Sequence, residues 1–189
     1  MKHQTLPIKF SYQVQDNFFA GEYPFEKTLC DGKQKLDQMV QFGISQFIDL
    51  TEKKSGFRDY SKYLPQGVFR LHVPCEDMQV PLFKRLVWIH NKIEQTLEYG
   101  EKLYLHCKGG YDRTGIAVAT WFIYNGDTPE QAWDKYMKVF LPYEKRKVYK
   151  NRPCLLETAW YTLLMYKLYL QTYLPEIKDE SRCENHCGA

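Results

Sequence analysis

The sequence predicts an α/β fold with a central, mainly parallel sheet of about four to five strands and helices on both faces. Short apolar stretches of strand length alternate along the chain with longer segments whose apolar residues recur at helical spacing. The 189 residues, 44% of them apolar and 16% aromatic, suffice to bury one core. We therefore predict a single domain over residues 1–177 and a polar C-terminal tail over 178–189.

Most of the predicted strands lie in the first half of the chain. The polar residues 15–17 form a predicted turn between two short strands. Apolar residues at helical spacing predict a helix over 33–42, which ends at Gly43 as a helix with a left-handed cap does. Residues 52–60 are charged and are predicted to form a loop. The predicted strands of this half cover 8–14, 18–23, 46–51 and 67–73.

The second half of the chain is mostly helical, with one predicted strand over 102–106. The helical spacing of apolar residues is clearest after Pro81, up to Gly100. Thr128 is a good N-cap and Pro129 suits the first helical position, so a helix is predicted to begin there. The predicted helices of this half cover 81–99, 114–124, 129–140 and 155–173.

The composition argues against several classes of function. A net charge of +3 is too small to indicate a nucleic-acid partner. The basic run 144–152 is either a solvated connector or a surface that attracts anionic substrates or lipid headgroups. No apolar run approaches the roughly 18 residues of a membrane span, and no signal region precedes the first strand. We expect a cytoplasmic monomer without stable membrane insertion.

The six cysteines indicate reduced thiols rather than a disulfide framework, because they are scattered without dense spacing. Cys183, His186 and Cys187 are close together in the predicted tail. Two thiols and one imidazole do not complete a tetrahedral site. We therefore expect no metal site in this chain.

The segment 106–115, His-Cys-Lys-Gly-Gly-Tyr-Asp-Arg-Thr-Gly, has the residue types of a phosphate-handling loop. Gly109 and Gly110 let the backbone turn its N–H groups inward as a nest for phosphate oxygens, and the following helix presents its positive end. Arg113 can hold two phosphate oxygens with its planar fork. The same field favours a Cys107 thiolate, which makes this residue the predicted nucleophile. The predicted phosphate-binding residues are Lys108, Gly109, Gly110, Tyr111 and Asp112.

Two further residues of this segment have predicted supporting roles. Thr114 follows Arg113 directly and can stabilise the thiolate when it leaves. His106 precedes Cys107 and can order the loop from behind. The arrangement requires the thiol of Cys107 to be open to solvent, with the guanidinium of Arg113 turned toward it across an anion cavity.

Residues 106–115 resemble the signature of the protein tyrosine phosphatase superfamily, specifically its compact dual-specificity branch. The resemblance extends to Phe19–Pro24, Phe47–Glu52 and Val73–Pro81, which are similar to segments of microbial and plant-type members. It covers roughly residues 18–126. The resemblance implies the cysteine-phosphatase fold, no metal or other cofactor, and two-step hydrolysis of phosphorylated protein substrates through a phosphocysteine intermediate.

The family also implies a general acid on a loop before the cysteine. Asp77, thirty residues before Cys107, matches that position and is the predicted acid. Glu76 is the nearest rival. Asp112 stands where myotubularins also have aspartate, so the resemblance leaves three roles open: it shares the acid role, takes it over, or orients Arg113 through an ion pair.

Alternatives to a protein phosphatase remain open. Lys108 resembles the basic residue of some phosphoinositide phosphatases, so a lipid or inositol phosphate substrate is the enzymatic alternative. A phosphate-binding pseudophosphatase is the alternative of another class. No glutamine after Arg152 matches the family residue that positions the hydrolytic water. Four residues near the predicted site receive other interpretations: Asp49 and His72 are structural, with His72 in the core, and Arg58 and Arg70 are candidates for lining the approach. His90, on a predicted helix, is assigned no role.

Overall fold

The computed structural model describes residues 8–25, 28–53, 56–77, 79–140 and 159–173, and its centre is a five-stranded sheet. The strand order is β1-β2-β5-β3-β4. Only β1 and β2 pair in the antiparallel sense, and the other three pairings are parallel. The strands are β1 (Ser11–Gln15), β2 (Phe18–Gly21), β3 (Ile44–Asp49), β4 (Phe69–His72) and β5 (Lys102–His106). The predicted mainly parallel sheet is confirmed.

Five α-helices and one short 3-10 turn, Ser61–Tyr63, accompany the sheet in the described part of the chain. The helices are α1 (Leu29–Gln41), α2 (Phe83–Glu98), α3 (Asp112–Tyr124), α4 (Pro129–Phe140) and α5 (159–173). Several boundaries differ from prediction by one to four residues. For example, α1 begins earlier because Thr28 caps it through a bond from the Asp31 N–H, and α3 begins at Asp112 rather than Thr114. None of the helices in the described ranges combines the length and the apolarity needed to cross a membrane.

The two faces of the sheet carry separate parts of the core, because neighbouring side chains of a strand point to opposite faces. In β5, Leu103 and Leu105 pack with the apolar residues of α2, α3, α4 and α5. Tyr104, between them, packs on the other face with Leu36 and Met39 of α1 and with the loop residue Tyr60. The helices on both faces agree with the predicted architecture.

Three strand ends meet at one edge of the sheet. In the pairing register, Asp49 of β3 lies opposite His106 of β5 on one side and His72 of β4 on the other. The Leu50 N–H continues this alignment by donating to the His106 carbonyl at 2.8 Å. Ligands of parallel α/β sheets bind beyond the carboxyl ends of the strands, so this edge is the expected place for a site.

His90, to which the sequence assigned no role, forms hydrogen bonds that connect three helices. This α2 residue is fully buried, and its Nδ1 lies 2.8 Å from the hydroxyl of Tyr166 in α5. Its Nε2 lies 3.0 Å from the carbonyl of Ala117 in α3. Burial lowers the pKa of His90 from 6.5 to about 3, so the imidazole is neutral at physiological pH.

Several predictions concern residues outside the described ranges. These are the first part of the last predicted helix, the basic run 144–152, Cys154, and the tail with its cluster Cys183, His186 and Cys187.

Candidate active site

In the loop between β5 and α3, Gly110 has a left-handed backbone conformation. Its φ of +75° lies in the left-handed region that favours glycine. A Cβ at this position would lie 2.4 Å from the carbonyl carbon of Gly21, so backbone of β2 blocks any side chain there. The Lys108 carbonyl is held outward by the Tyr23 N–H at 3.1 Å. These contacts fix the loop against the sequence that follows β2.

The backbone of this loop has the features of an anion-binding nest. Among the described residues, the N–H groups of Lys108, Gly109 and Gly110 donate to no backbone carbonyl. The loop leads directly into Asp112, the first residue of α3, where the helix dipole is positive. Lys108 is exposed, and the Tyr111 ring packs edge-on against Phe140 at 5.8 Å.

The guanidinium of Arg113 is buried and faces the loop that follows β4. Its Nη2 forms an ion pair with Asp77 Oδ1 at 2.8 Å, and its Nη1 donates to the Cys75 carbonyl at 3.1 Å. Its Nε is buried without a hydrogen-bond partner. Two residues thirty-six positions apart in sequence, the predicted acid and the predicted phosphate ligand, are therefore in direct contact.

Cys107 is less accessible than the open thiol expected from the sequence. Only 2% of the residue is exposed, and Arg113 is 3% exposed. The guanidinium points to Asp77 and to the Cys75 carbonyl, so the loop after β4 lies against the segment that carries Cys107. The expectation of a solvent-open thiol is therefore wrong for this structure.

Thr114 has an unusual hydroxyl. The residue is fully buried in the first turn of α3, and its Oγ1 has no hydrogen-bond partner among the residues that the structure describes. A buried hydroxyl without a partner is costly and rare in folded proteins. Its position next to Arg113 is the one that the sequence assigned to a group supporting the thiolate.

His106 is fully buried behind the loop. Its Nε2 is hydrogen-bonded to the Tyr60 hydroxyl at 2.7 Å, and its Nδ1 lies 3.8 Å from Asp49 Oδ1. Burial lowers the pKa of His106, against the opposing effect of Asp49. The residue therefore anchors the end of β5 to the loop that carries Tyr60, a partner that the sequence did not reveal.

Asp49 and Arg70 form an ion pair beneath the strand ends. Arg70 donates to Asp49 Oδ2 from Nε at 2.9 Å and from Nη2 at 2.7 Å, and it also reaches Asp59. Burial opposes ionisation of Asp49, but His106, the Thr51 N–H and Arg70 together lower its pKa. Asp49 is structural, as predicted.

The three other flanking residues differ in their placement. Arg70 lines a cavity of about 330 Å³ beside the strand ends together with His72. His72 is exposed and lies 2.7 Å from the Thr51 carbonyl, so the prediction of a core histidine is wrong. The backbone carbonyl of Arg58 accepts a hydrogen bond from the Tyr23 hydroxyl.

The two candidate acids are placed differently. Asp77 is 46% exposed at its side chain and pairs with Arg113. Glu76 is exposed, and within the described ranges it forms no ion pair. Of the two, only Asp77 forms an ion pair with Arg113, which follows the loop that carries Cys107.

Comparison with known proteins matches this chain to phosphatases. A family model described as "Polymorphic toxin system, DSP-PTPase phosphatase" matches residues 24–127. Protein 067L of Invertebrate iridescent virus 3, a tyrosine phosphatase by its assigned name, is 27% identical over 114 residues, which are 58% of this chain and 43% of the viral protein. The chain thus spans less than half the length of that relative.

Solved structures with similar folds are also phosphatases by name. Tk-PTP in its active form has a TM-score of 0.59 at 19% identity, over 80% of this chain and 96% of that chain. PTPMT1 in complex with PI(5)P has a TM-score of 0.60 at 20% identity, over 85% of this chain and 98% of that chain. At these identities the likeness establishes a shared fold.

Proposed function

The chain belongs to the DSP-PTPase phosphatase family of polymorphic toxin systems, and from this we propose that it is a cysteine-dependent phosphatase. Its substrates are phosphotyrosine and also phosphoserine and phosphothreonine in proteins. Cys107 is the nucleophile, Arg113 binds the phosphate and Asp77 is the general acid. The reaction proceeds through a phosphocysteine intermediate.

One observation carries this proposal. Among the described residues, Arg113 Nε and Thr114 Oγ1 are both buried without a hydrogen-bond partner, and both lie in the first turn of α3, directly after the loop 107–111. A tetrahedral oxyanion at this place would accept from the guanidinium and from the loop amides. The orphaned donors therefore fit a phosphate group.

The first chemical step transfers the phosphoryl group to sulfur. The Cys107 thiolate attacks phosphorus, the bond from phosphorus to the ester oxygen breaks, and the leaving oxygen takes a proton from Asp77. Arg113 and the loop amides stabilise the charge on the equatorial oxygens. Asp77 lies 2.8 Å from Arg113 in this structure, so a phosphate that takes its place on the guanidinium would leave the carboxyl group nearby as the acid.

The second step returns the thiolate. Water attacks phosphorus of the phosphocysteine, Asp77 accepts a proton from the water, and the bond from sulfur to phosphorus breaks. The Thr114 hydroxyl is available to donate a hydrogen bond to the leaving sulfur, since it has no other partner. Inorganic phosphate is the product.

A phosphoinositide or inositol phosphate is the second candidate substrate. Lys108 is exposed beside Cys107, where it could contact an additional phosphate of such a substrate. PTPMT1, which shares the fold, has been crystallised with PI(5)P. We rank protein substrates first because the matched family model is described as a DSP-PTPase phosphatase and the viral relative is named a tyrosine phosphatase.

A phosphatase assay with two cysteine variants tests the function. We expect release of phosphate from phosphotyrosine and phosphothreonine peptides, and loss of turnover in Cys107→Ser with substrate binding retained. The control is Cys30→Ser, because Cys30 is an exposed free cysteine on α1. Faster turnover of a phosphoinositide panel would select the second candidate, and binding without turnover in the wild type would identify a pseudophosphatase.

The proposal also covers the compartment, the oligomeric state and the partners of the protein. Cys30, Cys75 and Cys107 are free cysteines, which suits a reducing compartment such as the cytoplasm. We propose a monomer that does not bind nucleic acid, does not insert stably into a membrane, and needs no metal for its chemistry.

A further inference from the structure

An apolar groove lies between the end of β4 and the first half of α2. Its cavity volume is about 500 Å³, and its apolar wall includes Val73, Pro74, Leu82 and Trp88. Leu82 is 70% exposed and Trp88 is 42% exposed. Single exposed apolar residues are ordinary on a protein surface, but apolar residues that together line a concave surface indicate a binding site. We call this surface the α2 groove.

The charged residues that line the α2 groove are cationic. Within the described part of the chain its lining contains Lys84 and Arg85 and no aspartate or glutamate. Lys84 and Arg85 are exposed, and Lys92 lies 5.7 Å from the Trp88 ring centroid. A complementary occupant therefore carries carboxylates next to apolar side chains.

The α2 groove and the candidate active site share the loop that follows β4. Arg85 Nη1 donates to the Pro74 carbonyl at 2.5 Å, and Arg113 Nη1 donates to the carbonyl of the next residue, Cys75, at 3.1 Å. Pro74 lines the groove, so a wall of the groove is one residue away in sequence from a contact of Arg113. This proximity motivates an occupant that belongs to the same substrate as the phosphate.

We propose that the α2 groove binds an acidic and apolar peptide segment flanking the phosphorylated residue of a protein substrate. This inference rests on the proposed function and makes it more specific, because it names the substrate class as phosphoproteins with such a segment. The apolar side chains would contact Leu82 and Trp88, and the carboxylates would pair with Lys84 and Arg85. The groove selects the substrate and takes no part in the chemical steps.

Two phosphotyrosine peptides that differ only in their flanks test the inference. One flank contains Asp, Glu, Leu and Phe, and the other contains Lys and Ser. The groove variant is Trp88→Ala with Lys84→Glu. Its matched control is Tyr99→Ala with Lys138→Glu, because Tyr99 is 84% exposed at the end of α2 and Lys138 is exposed on α4.

We expect the wild type and the control to prefer the acidic peptide in kcat/KM by about tenfold or more, and the groove variant to lose that preference. Hydrolysis of para-nitrophenyl phosphate, which has no flank, should be the same in all three proteins. Equal preference in the wild type and the groove variant would overturn the inference while the proposed function stands.

A binding measurement separates failure of the inference from failure of the function. The acidic peptide without phosphate, labelled with fluorescein, should bind the wild type and the Cys107→Ser variant but bind the groove variant at least about fivefold more weakly. If para-nitrophenyl phosphate is not hydrolysed, the proposed function fails and this binding result still decides the groove. A dimer in sedimentation, or binding to phosphoinositide vesicles, that disappears in the groove variant would overturn the inference in favour of another occupant.

Discussion

The guanidinium of Arg113 has two competing uses. In this structure its Nη2 is paired with Asp77 at 2.8 Å, although a phosphate bound by the planar fork would need the same side of the group. The acid and the substrate anion therefore compete for Arg113. In the same structure Cys107 is only 2% exposed.

Replacing the acid has two opposite expected effects. Asp77→Asn should lower kcat on alkyl phosphates by about 10²-fold or more, with a smaller loss on aryl phosphates, whose leaving groups need less protonation. The same variant should bind vanadate more tightly, because the competing carboxylate of Asp77 is gone. Steady-state kinetics with vanadate inhibition measures both effects.

The matched controls for this prediction are Glu76→Gln and Asp112→Asn. A normal alkyl phosphatase activity in Asp77→Asn, with loss in either control, would transfer the acid role to the other residue. Unchanged or weaker vanadate binding in Asp77→Asn would contradict the competition for Arg113.

The hydroxyl of Thr114 should matter for turnover and not for stability. Because Oγ1 is buried and unpartnered, Thr114→Val removes an unsatisfied polar atom, and the free energy of unfolding should stay equal or rise. Hydrolysis of the phosphocysteine should slow by about 10²-fold, since the leaving thiolate loses its donor. Urea unfolding and burst kinetics report the two effects, and a clear loss of stability would show that the hydroxyl has a structural partner.

At the scale of elements, the junction from β5 to α3 depends on one backbone conformation. Gly110 and Gly100 have nearly equal φ values, +75° and +73°, but a Cβ at Gly100 meets nothing within 4 Å. Gly110→Ala should therefore abolish phosphatase activity and destabilise the fold by about 1–3 kcal/mol or more, because the new methyl group meets the backbone of Gly21. Gly100→Ala carries a similar φ strain and should retain activity. Equal losses of activity in the two variants would mean that the close approach of Gly110 to the backbone of Gly21 does not matter for activity.

Elements with strong local signals were predicted best. The strand 102–106 and the helix 129–140 have their predicted bounds, and Thr128 and Gln131 form the reciprocal cap that starts the helix. The early start of α1 was missed because the Thr28 cap gives a weak pattern in sequence. The edge strand β4 is shorter than predicted, since it has a neighbour on one side only in the described sheet.

The candidate site was predictable only where it is continuous in sequence. The predicted roles of residues 106–114 come from one segment, and the prediction of Asp77 came from the family resemblance, which implies an acid about thirty residues before Cys107. The partnership of Tyr60 with His106 could not be predicted, because these residues are 46 positions apart and neither belongs to a motif that names the other. The ion pair between Asp77 and Arg113 is likewise visible only in the folded chain.

At the scale of the whole molecule, His90 should make the fold sensitive to acid. Its pKa is about 3 in the folded protein and near 6.5 when unfolded, so below pH 6.5 the unfolded chain takes up a proton that the folded chain does not. Acid therefore favours unfolding, by about 1.4 kcal/mol per pH unit between these values. Urea unfolding at pH 7.5 and 5.5 should show a larger loss of stability for the wild type than for His90→Gln. The same loss in both proteins would exclude His90 as the source.

The central claim is that phosphate is transferred to the sulfur of Cys107. The direct measurement is acid quenching of the protein within its first turnover of a phosphotyrosine peptide, followed by peptide mapping by mass spectrometry. We predict one phosphoryl group on the peptide that contains Cys107, more of it in Thr114→Val, and none in Cys107→Ser. Turnover with no phosphorylated Cys107 peptide, or with the phosphoryl group on another residue, would contradict the account.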